Sequence, residues 1–138
     1  MLLDDTQALT QHFVSNWATV STTVPVFYDN QPNAIPPAKA AWVRFSVRLG
    51  GSIHHAGSAD DGVKKQLGRV WLQIFVPSQT GMGKAYTLAE GFALMFRNQR
   101  LDSHQIHLST EDVSDPRDAG DSMMMMTVSV PFESYRRY

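Results

Sequence analysis

The segment that decides the fold is residues 42–49, which read Trp42-Val43-Arg44-Phe45-Ser46-Val47-Arg48-Leu49. Apolar side chains fall on every second position, and a period of two is typical of a β-strand with one buried face. Residues 69–76 repeat the pattern, with an apolar face formed by Val70, Leu72, Ile74 and Val76. Two strong strands so close in sequence predict the centre of a sheet.

Two amphipathic helices are predicted outside these strands, one before and one after them. The first spans residues 4–20, and its apolar residues recur at spacings of four, four and three: Leu9, Phe13, Trp17 and Val20. The second follows Gly81 and Gly83, with Met95 at the margin of an apolar face made by Ala85, Leu88, Ala89, Phe92 and Phe96. The apolar face of each helix must be buried, and the predicted sheet is the surface on which both helices can pack.

Weaker strand patterns complete the expected fold. Residues 24–30 suit a short edge strand, because Pro25 cannot donate a hydrogen bond to a neighbour. Residues 105–109 and 123–131 alternate in the manner of strands. Direct steps from strand to strand dominate this order. The sequence therefore predicts an α+β fold in a single domain, residues 1–138, with a mostly antiparallel or mixed β-sheet of about four to five strands and two helices packed on one face.

Four segments are expected to lie outside these elements. Residues 31–39 contain three prolines and predict an ordered loop. Residues 50–66 are polar and glycine-bearing, and they predict a long projecting loop. Residues 111–121 predict an acidic loop, and residues 132–138 a short aromatic and basic tail.

The two longer loops carry the candidate partner contacts. Their charged and titratable residues are His54, His55, Asp60, Asp61, Lys64 and Lys65 in the first loop, and Asp115, Arg117, Asp118 and Asp121 in the second. Acidic and basic segments at separate places suit head-to-tail contacts between identical subunits, which close into rings. The alternative is that both loops are simply solvated.

The second face of the predicted sheet carries arginine and large aromatic residues. Both are enriched at protein interfaces, and arginines on the wall of a pore could meet a phosphate backbone. The candidates for a lumen or a subunit interface are Arg44, Arg48, Arg69, Trp42 and Trp71. The alternative is an ordinary wet face of an antiparallel sheet. On the last strand, Met123 and Met125 are expected on this side, exposed unless something covers them.

Composition and motifs point away from catalysis. The chain contains no Gly-x-Ser-x-Gly motif, phosphate-binding loop or dinucleotide fingerprint, and its five histidines lack the spacing of a zinc site. Without cysteine it forms no disulfide, and a net charge of -1 favours neither nucleic acid nor an anionic membrane. We therefore expect no enzyme activity, no cofactor, no metal and no membrane contact. With no signal peptide visible, a soluble cytoplasmic protein is expected.

In their order along the chain, several stretches resemble the tail-terminator (tail-completion) proteins of long, non-contractile-tailed bacteriophages. They are Phe13 and Trp17, residues 25–30, residues 42–45 leading to Leu49-Gly50, residues 68–70 continuing to residues 73–77, Gly81 with Ala85, Leu88 and Ala89, Phe96-Arg97, and residues 130–132. The run Gln73-Ile74-Phe75-Val76-Pro77 before a glycine-led helix weighs most. Together these stretches span nearly the whole chain.

The resemblance implies a structural virion protein in the neck region, assembled in the host cytoplasm. Such a protein would form a ring, usually a hexamer, at the head-proximal end of the tail tube. It would stop tail polymerisation and provide the surface on which the head joins. Its implied partners are further copies of itself, the major tail-tube protein, a head-completion or connector protein, and genomic DNA that passes through the lumen without sequence-specific contacts.

Two alternatives remain at this point. The chain could be another neck or head–tail connector protein of a phage. It could also be a small host α+β ligand-binding domain, although the sequence offers no convergent set of titratable residues for a pocket.

Overall fold

The computed structural model describes residues 2–29, 40–57, 62–102 and 105–137. The predicted loop at residues 31–39 therefore lies outside the described residues. The elements in chain order are α1 Leu2–Val20, β1 Val26–Tyr28, β2 Trp42–Gly57, β3 Gly62–Pro77, α2 Gly83–Phe96, β4 Arg100–Leu101, β5 Ile106–Leu108, β6 Asp112–Val113, β7 Arg117–Gly120 and β8 Met123–Arg137.

All of the strands belong to one mixed sheet. The order across it is β1-β2-β3-β8-β5-β4, and β6 and β7 also pair with β8. Strand β1 runs parallel to β2 at the sheet edge, whereas the other pairings are antiparallel. An α+β fold with a mixed sheet and an edge strand near Pro25 is thereby confirmed.

The predicted number of strands was wrong. The described part of the chain contains eight strands in the sheet, against the four to five that were expected. Strands β4 and β6 are each two residues long and β7 is four. A period of two cannot be recognised over so few residues, and these strands form because a neighbouring strand offers its edge, β5 to β4 and β8 to β6 and β7.

The predicted loop at residues 50–66 is not a loop. Strands β2 and β3 continue through it as far as Gly57 and Gly62, and residues 58–61 between them lie outside the described residues. We name residues 50–57 and 62–68 the hairpin arm. Residues 50–54, 56 and 57 are exposed. In residues 62–68 the buried positions are Gly62 and Gln66, which carry no apolar side chain, so the arm shows no apolar alternation and its sequence resembles a loop.

The predicted tail at residues 132–138 is also a strand, as far as Arg137. Strand β8 runs on to that residue and pairs with the arm part of β3, from Val63↔Arg137 to Gly68↔Phe132. The acidic loop at residues 111–121 contains β6 and β7, both paired with β8. In each case pairing between distant segments overrides a weak local pattern.

The core lies between one face of the sheet and the two helices. Both predicted helix faces are confirmed as buried, except that Val20 is only partly buried. They pack on alternate strand residues, namely Val43, Phe45, Val70, Leu72, Ile74, Val76, Met126, Val128 and Val130. Phe13 of α1 stacks on Phe45 of β2 with ring centroids 4.2 Å apart. The helices therefore occupy one face and leave the other face of the sheet without a helix.

Strand β8 begins with four consecutive methionines. Met126 is fully buried in the core, and Met124 packs against it. Met123 is buried as well, in register between Pro77 of β3 and Gly120 of β7. Met125 is half-buried, with its sulfur 3.9 Å from Nε2 of Gln73. Met123 and Met125 were expected to be exposed unless something covers them. In the structure Met123 is buried and Met125 is half-buried, so both are covered, Met125 only partly.

Candidate assembly surfaces

The helix-free face is the side of the sheet opposite the core. Its central residues on β2 and β3 face one another in register as Trp42↔Phe75, Arg44↔Gln73, Ser46↔Trp71 and Arg48↔Arg69. The structure thus brings together the five residues that the sequence suggested for a lumen or subunit interface, Arg44, Arg48, Arg69, Trp42 and Trp71.

Stacked aromatic rings form one end of this face. Trp42 lies flat on Phe75, with ring centroids 4.0 Å apart and planes 5° apart. Phe27 of β1 meets the Trp42 ring edge-on at 5.2 Å. The guanidinium carbon of Arg44 lies 5.7 Å from the centroid of the Trp42 ring, a cation–π geometry worth about 0.5–1 kcal/mol at an exposed site. The result is a rigid aromatic ridge with a cation above it.

The three arginines differ in their partners. Arg48 pairs with Asp29 at 3.0 Å, and Arg69 pairs with Asp112 at 2.8 Å. Arg48 and Arg69 stand directly opposite in register, where like charges repel, and the two carboxylates offset that repulsion. Arg44 is exposed and has no carboxylate partner in the described part of the chain. Arg44 therefore contributes the least neutralised charge on this face.

The candidate residues of the hairpin arm are partly engaged within the subunit. Nε2 of His54 donates to the carbonyl of Gly57 at 2.8 Å, and His54 stands opposite Lys64 in register. Lys65 bonds Glu133 at 2.9 Å, which raises the pKa of Lys65 and lowers the pKa of Glu133. Three further candidates lie outside what the structure describes: Asp60, Asp61 and the side chain of His55.

The acidic segment, residues 111–121, divides into an inward and an outward part. Glu111 accepts two hydrogen bonds from Arg97, at 2.6 and 2.7 Å, and these lower the pKa of Glu111. Asp112 binds Arg69. The remaining candidates, Asp115, Arg117, Asp118 and Asp121, are exposed, and among the described residues none of them forms a salt bridge. The outward part therefore keeps a net negative charge.

A buried polar network was not recognised in the sequence. Oδ1 of Asp5 accepts hydrogen bonds from Ser134 at 2.7 Å and from Arg136 at 2.6 Å, and Asp5 is fully buried. Arg136 also binds Asp102 and Gln105. Burial by itself would lower the pKa of Arg136, and the bonds to Asp102 and Asp5 raise it. No local sequence pattern indicates this contact, because only the fold brings Asp5 beside the end of β8.

The helices form a second exposed surface. An open groove of about 800 Å³ lies between α1 and α2, with exposed Tyr86 and Leu94 on its wall. Among the described residues, no group of three or more His, Asp or Glu side chains is placed to hold a metal. His12 donates to the carbonyl of Met95 at 2.7 Å and so joins the two helices. Within the described ranges neither helix is long and apolar enough to cross a membrane.

Solved structures with a similar fold exist among known proteins. One solved structure, which carries no functional name, has a TM-score of 0.64 and 20% sequence identity, and the match covers 94% of both chains. Another, from the virion of a native gene transfer agent particle, has a TM-score of 0.58 and 13% identity over 95% of this chain and 94% of the other. These likenesses support the fold. No curated protein sequence matches the chain.

A family model described as phage tail terminator protein matches residues 6–132. The match includes α1, the strands of the helix-free face, α2 and the acidic segment. It also includes nearly all the stretches on which the sequence resemblance was based. The chain therefore belongs to the phage tail terminator protein family and is a structural component of a phage tail.

Proposed function

We propose that this protein forms a homohexameric ring at the head-proximal end of the tail tube, where it ends tail polymerisation and presents the surface on which the head joins. The observation that carries the proposal is the helix-free face. It presents exposed arginine beside stacked aromatic rings in a chain of the tail terminator family. Such a combination is typical of interface residues rather than of a solvated face.

The geometry of the face supports a contact role. Trp42 is fixed between Phe75 and Phe27, so little side-chain entropy is lost when another surface covers it. Arg44 lies over that ring with a charge that no described carboxylate neutralises. In the proposed ring this face meets either a neighbouring subunit or the lumen. In the lumen, Arg44 would be available to the phosphates of passing DNA, in a contact that carries no sequence information.

The ends of the ring are assigned to different partners. In the hairpin arm, residues 50–57 of β2 are exposed wherever the structure describes their side chains, which suits a contact with the next component along the tail axis. In this proposal one end of the ring covers the last ring of tail-tube protein and cannot accept another tube subunit. The other end receives a head-completion or connector protein.

Mass in solution is the first test of the ring. Light scattering behind size exclusion, over a concentration series, is expected to show a discrete species at the mass of a hexamer of the 15.4 kDa chain. Binding to purified tail-tube protein is expected as well. A protein that stays monomeric and captures portal-side protein but no tail-tube protein would contradict termination and favour another connector role.

The helix-free face is tested by charge reversal. The double variant Arg44→Glu/Arg48→Glu is expected to fold, because both side chains are exposed, yet to reduce ring formation and the yield of infectious particles by at least about tenfold. Circular dichroism and a thermal melt check the fold. The single variant Lys84→Glu reverses a charge at an exposed position of α2, outside this face, and is the control for the single variant Arg44→Glu. Wild-type particle yields from the first variant would remove the face from the proposal.

A further inference from the structure

We infer that neighbouring copies of this chain meet margin to margin, with the acidic segment of one subunit against the Arg44–Arg48 side of the next. This inference rests on the proposed ring and names its contact. The basic margin is defined as Arg44 and Arg48 on β2, beside the edge strand β1. The acidic segment keeps its definition as residues 111–121. The partner is therefore a second copy of the same chain, in a head-to-tail arrangement.

The topology places these two surfaces at opposite sides of one sheet. Strand β1 is the first in the order and β2 the second, whereas β6 and β7 pair with β8 on the side that faces away from β3. In the described part of the chain, no strand pairs with the outer side of β1, β6 or β7. The inferred contact joins these two margins, one from each subunit.

The register places both surfaces at the same height along the strands. Row by row across the sheet, Arg117 of β7 aligns with Met125, Phe75 and Trp42. Asp112 of β6 aligns with Ser129, Trp71 and Ser46. The acidic segment therefore spans the rows that contain Arg44 and adjoin Arg48. A rotation about an axis along the strands would bring the two margins into contact without a shift in height.

The charges on the two margins are complementary. Strand β2 contains Arg44, Arg48 and two histidines but no acidic residue, whereas the acidic segment contains five carboxylates and one arginine. Glu111 and Asp112 bind arginines of their own subunit. Asp115, Asp118 and Asp121 remain for a neighbour. Asp29 binds Arg48, but the side chain of Arg48 is still 65% exposed, so the basic margin keeps a net positive charge.

This arrangement also selects the symmetry of the contact. A two-fold contact would place the basic margin against itself or the acidic segment against itself, and like charges would then oppose each other. A heterologous contact pairs opposite charges and closes into a ring when the rotation permits. Charge repulsion in a two-fold contact therefore adds to the specificity that charge attraction gives the head-to-tail contact.

Disulfide trapping tests the contact directly, because the chain contains no cysteine. Thr23 lies just before β1 and Ala119 lies in β7, both exposed and at nearly the same height along the strands. The variants Thr23→Cys and Ala119→Cys are mixed in equal amounts and oxidised. We expect a dimer that contains one chain of each kind, at least about tenfold more abundant than either homodimer. Homodimers in equal or greater amount would overturn the head-to-tail arrangement.

Charge exchange provides the second test. Arg44→Glu/Arg48→Glu makes both margins acidic, and Asp115→Lys/Asp118→Lys makes the outward part of the other margin basic. Each variant by itself is expected to lose at least about tenfold in association, while the mixture of the two recovers it, because acidic and basic margins then alternate. If the mixture fails while the wild-type ring forms and the single variants fold, the margins are not the contact.

The ring and the margin contact fail under different outcomes. One outcome is that wild-type rings form, in solution or in cells that produce tails, while the Thr23→Cys and Ala119→Cys variants form no disulfide with each other. The margin contact is then wrong and the ring remains. If no oligomer forms in either setting, the ring proposal falls and this inference falls with it.

Discussion

Among single residues, Asp5 joins the first helix to the last strand of the sheet. It is fully buried, and its Oδ1 atom joins the first turn of α1 to Ser134 and Arg136 near the end of β8. Its second oxygen, Oδ2, has no hydrogen-bond partner among the described residues. A buried carboxylate destabilises the fold when it is unpaired, and the bound cation offsets that cost. The network therefore fixes where the first helix begins on the sheet.

Removal of Asp5 should destabilise the subunit strongly. Asp5→Ala leaves Arg136 partly buried and held by Asp102 and Gln105 alone, and loss of one partner of a buried pair costs about 3 kcal/mol. Asp5→Asn, which keeps an acceptor oxygen, should cost less. The measurement is the free energy of unfolding in urea. Asp4→Ala, at an exposed carboxylate in the same turn, is the control and should cost much less. Equal losses at both positions would contradict the network's role.

Two carboxylates should make stability sensitive to acid. Hydrogen bonds from Arg97 and Lys65 lower the pKa values of Glu111 and Glu133 in the folded protein below their ordinary value of 4.5. Their contribution is fully present above that value and is lost as the pH falls through the lowered pKa values. We expect the free energy of unfolding to fall as the pH is lowered from neutral to below 4.5.

The control for this pH dependence is the variant Glu111→Gln. It lacks one of the two titrating groups and should lose less stability over the same interval. Urea unfolding at several pH values provides the comparison. A variant with the same acid dependence as wild type would show that Glu111 is not responsible.

At the element scale, the base of the hairpin arm depends on close approach of β2, β3 and β8. Gly68 lies at the base of the arm, in register with Leu49 of β2 and Phe132 of β8. A Cβ atom at Gly68 would lie 2.6 Å from the carbonyl oxygen of Arg48 and 2.6 Å from Cζ of Phe132. Neither a strand carbonyl nor a buried ring moves easily. Glycine at this position therefore allows the three strands to remain paired along the whole arm.

Gly68→Ala should therefore destabilise the subunit by about 1–3 kcal/mol, in the range of overpacked sites. The matched control is Gly51→Ala, on the arm itself, where an added Cβ meets nothing within 4 Å. Gly51→Ala should change stability by less than about 1 kcal/mol. Thermal unfolding compares the two variants. A neutral result for Gly68→Ala would mean that the strands separate at little cost.

At the scale of the whole molecule, association should depend on salt. If the ring is held by Arg44 and Arg48 against Asp115, Asp118 and Asp121, screening weakens it, since the Debye length falls from about 10 Å at 0.1 M to about 3 Å at 1 M. Sedimentation velocity should show at least about tenfold weaker association at high salt. Association that is unchanged or stronger would favour an apolar contact, for which the groove with Tyr86 and Leu94 is the available surface.

The core was predictable from sequence because its signal is local. A helix face and a strand face are each encoded within a dozen or so residues, so α1, α2 and the centres of β2, β3 and β8 could be recognised. The face with Arg44 and Trp42 followed from the same alternation. The sequence could not show which arginines of this face are paired with a carboxylate. Asp29 and Asp112, which bind Arg48 and Arg69, come from other parts of the chain.

What the sequence determined by itself is the set of amphipathic segments, the absence of cysteine and the resemblance to the tail terminator family. Tertiary structure alone decided the hairpin arm, the short strands β6 and β7, the Asp5–Arg136 network and the alignment of acidic and basic margins. The physical reason is the range of the interactions. Burial of one face imposes a period on neighbouring residues, whereas strand pairing and ion pairs join residues far apart in the chain and leave no periodic pattern in it.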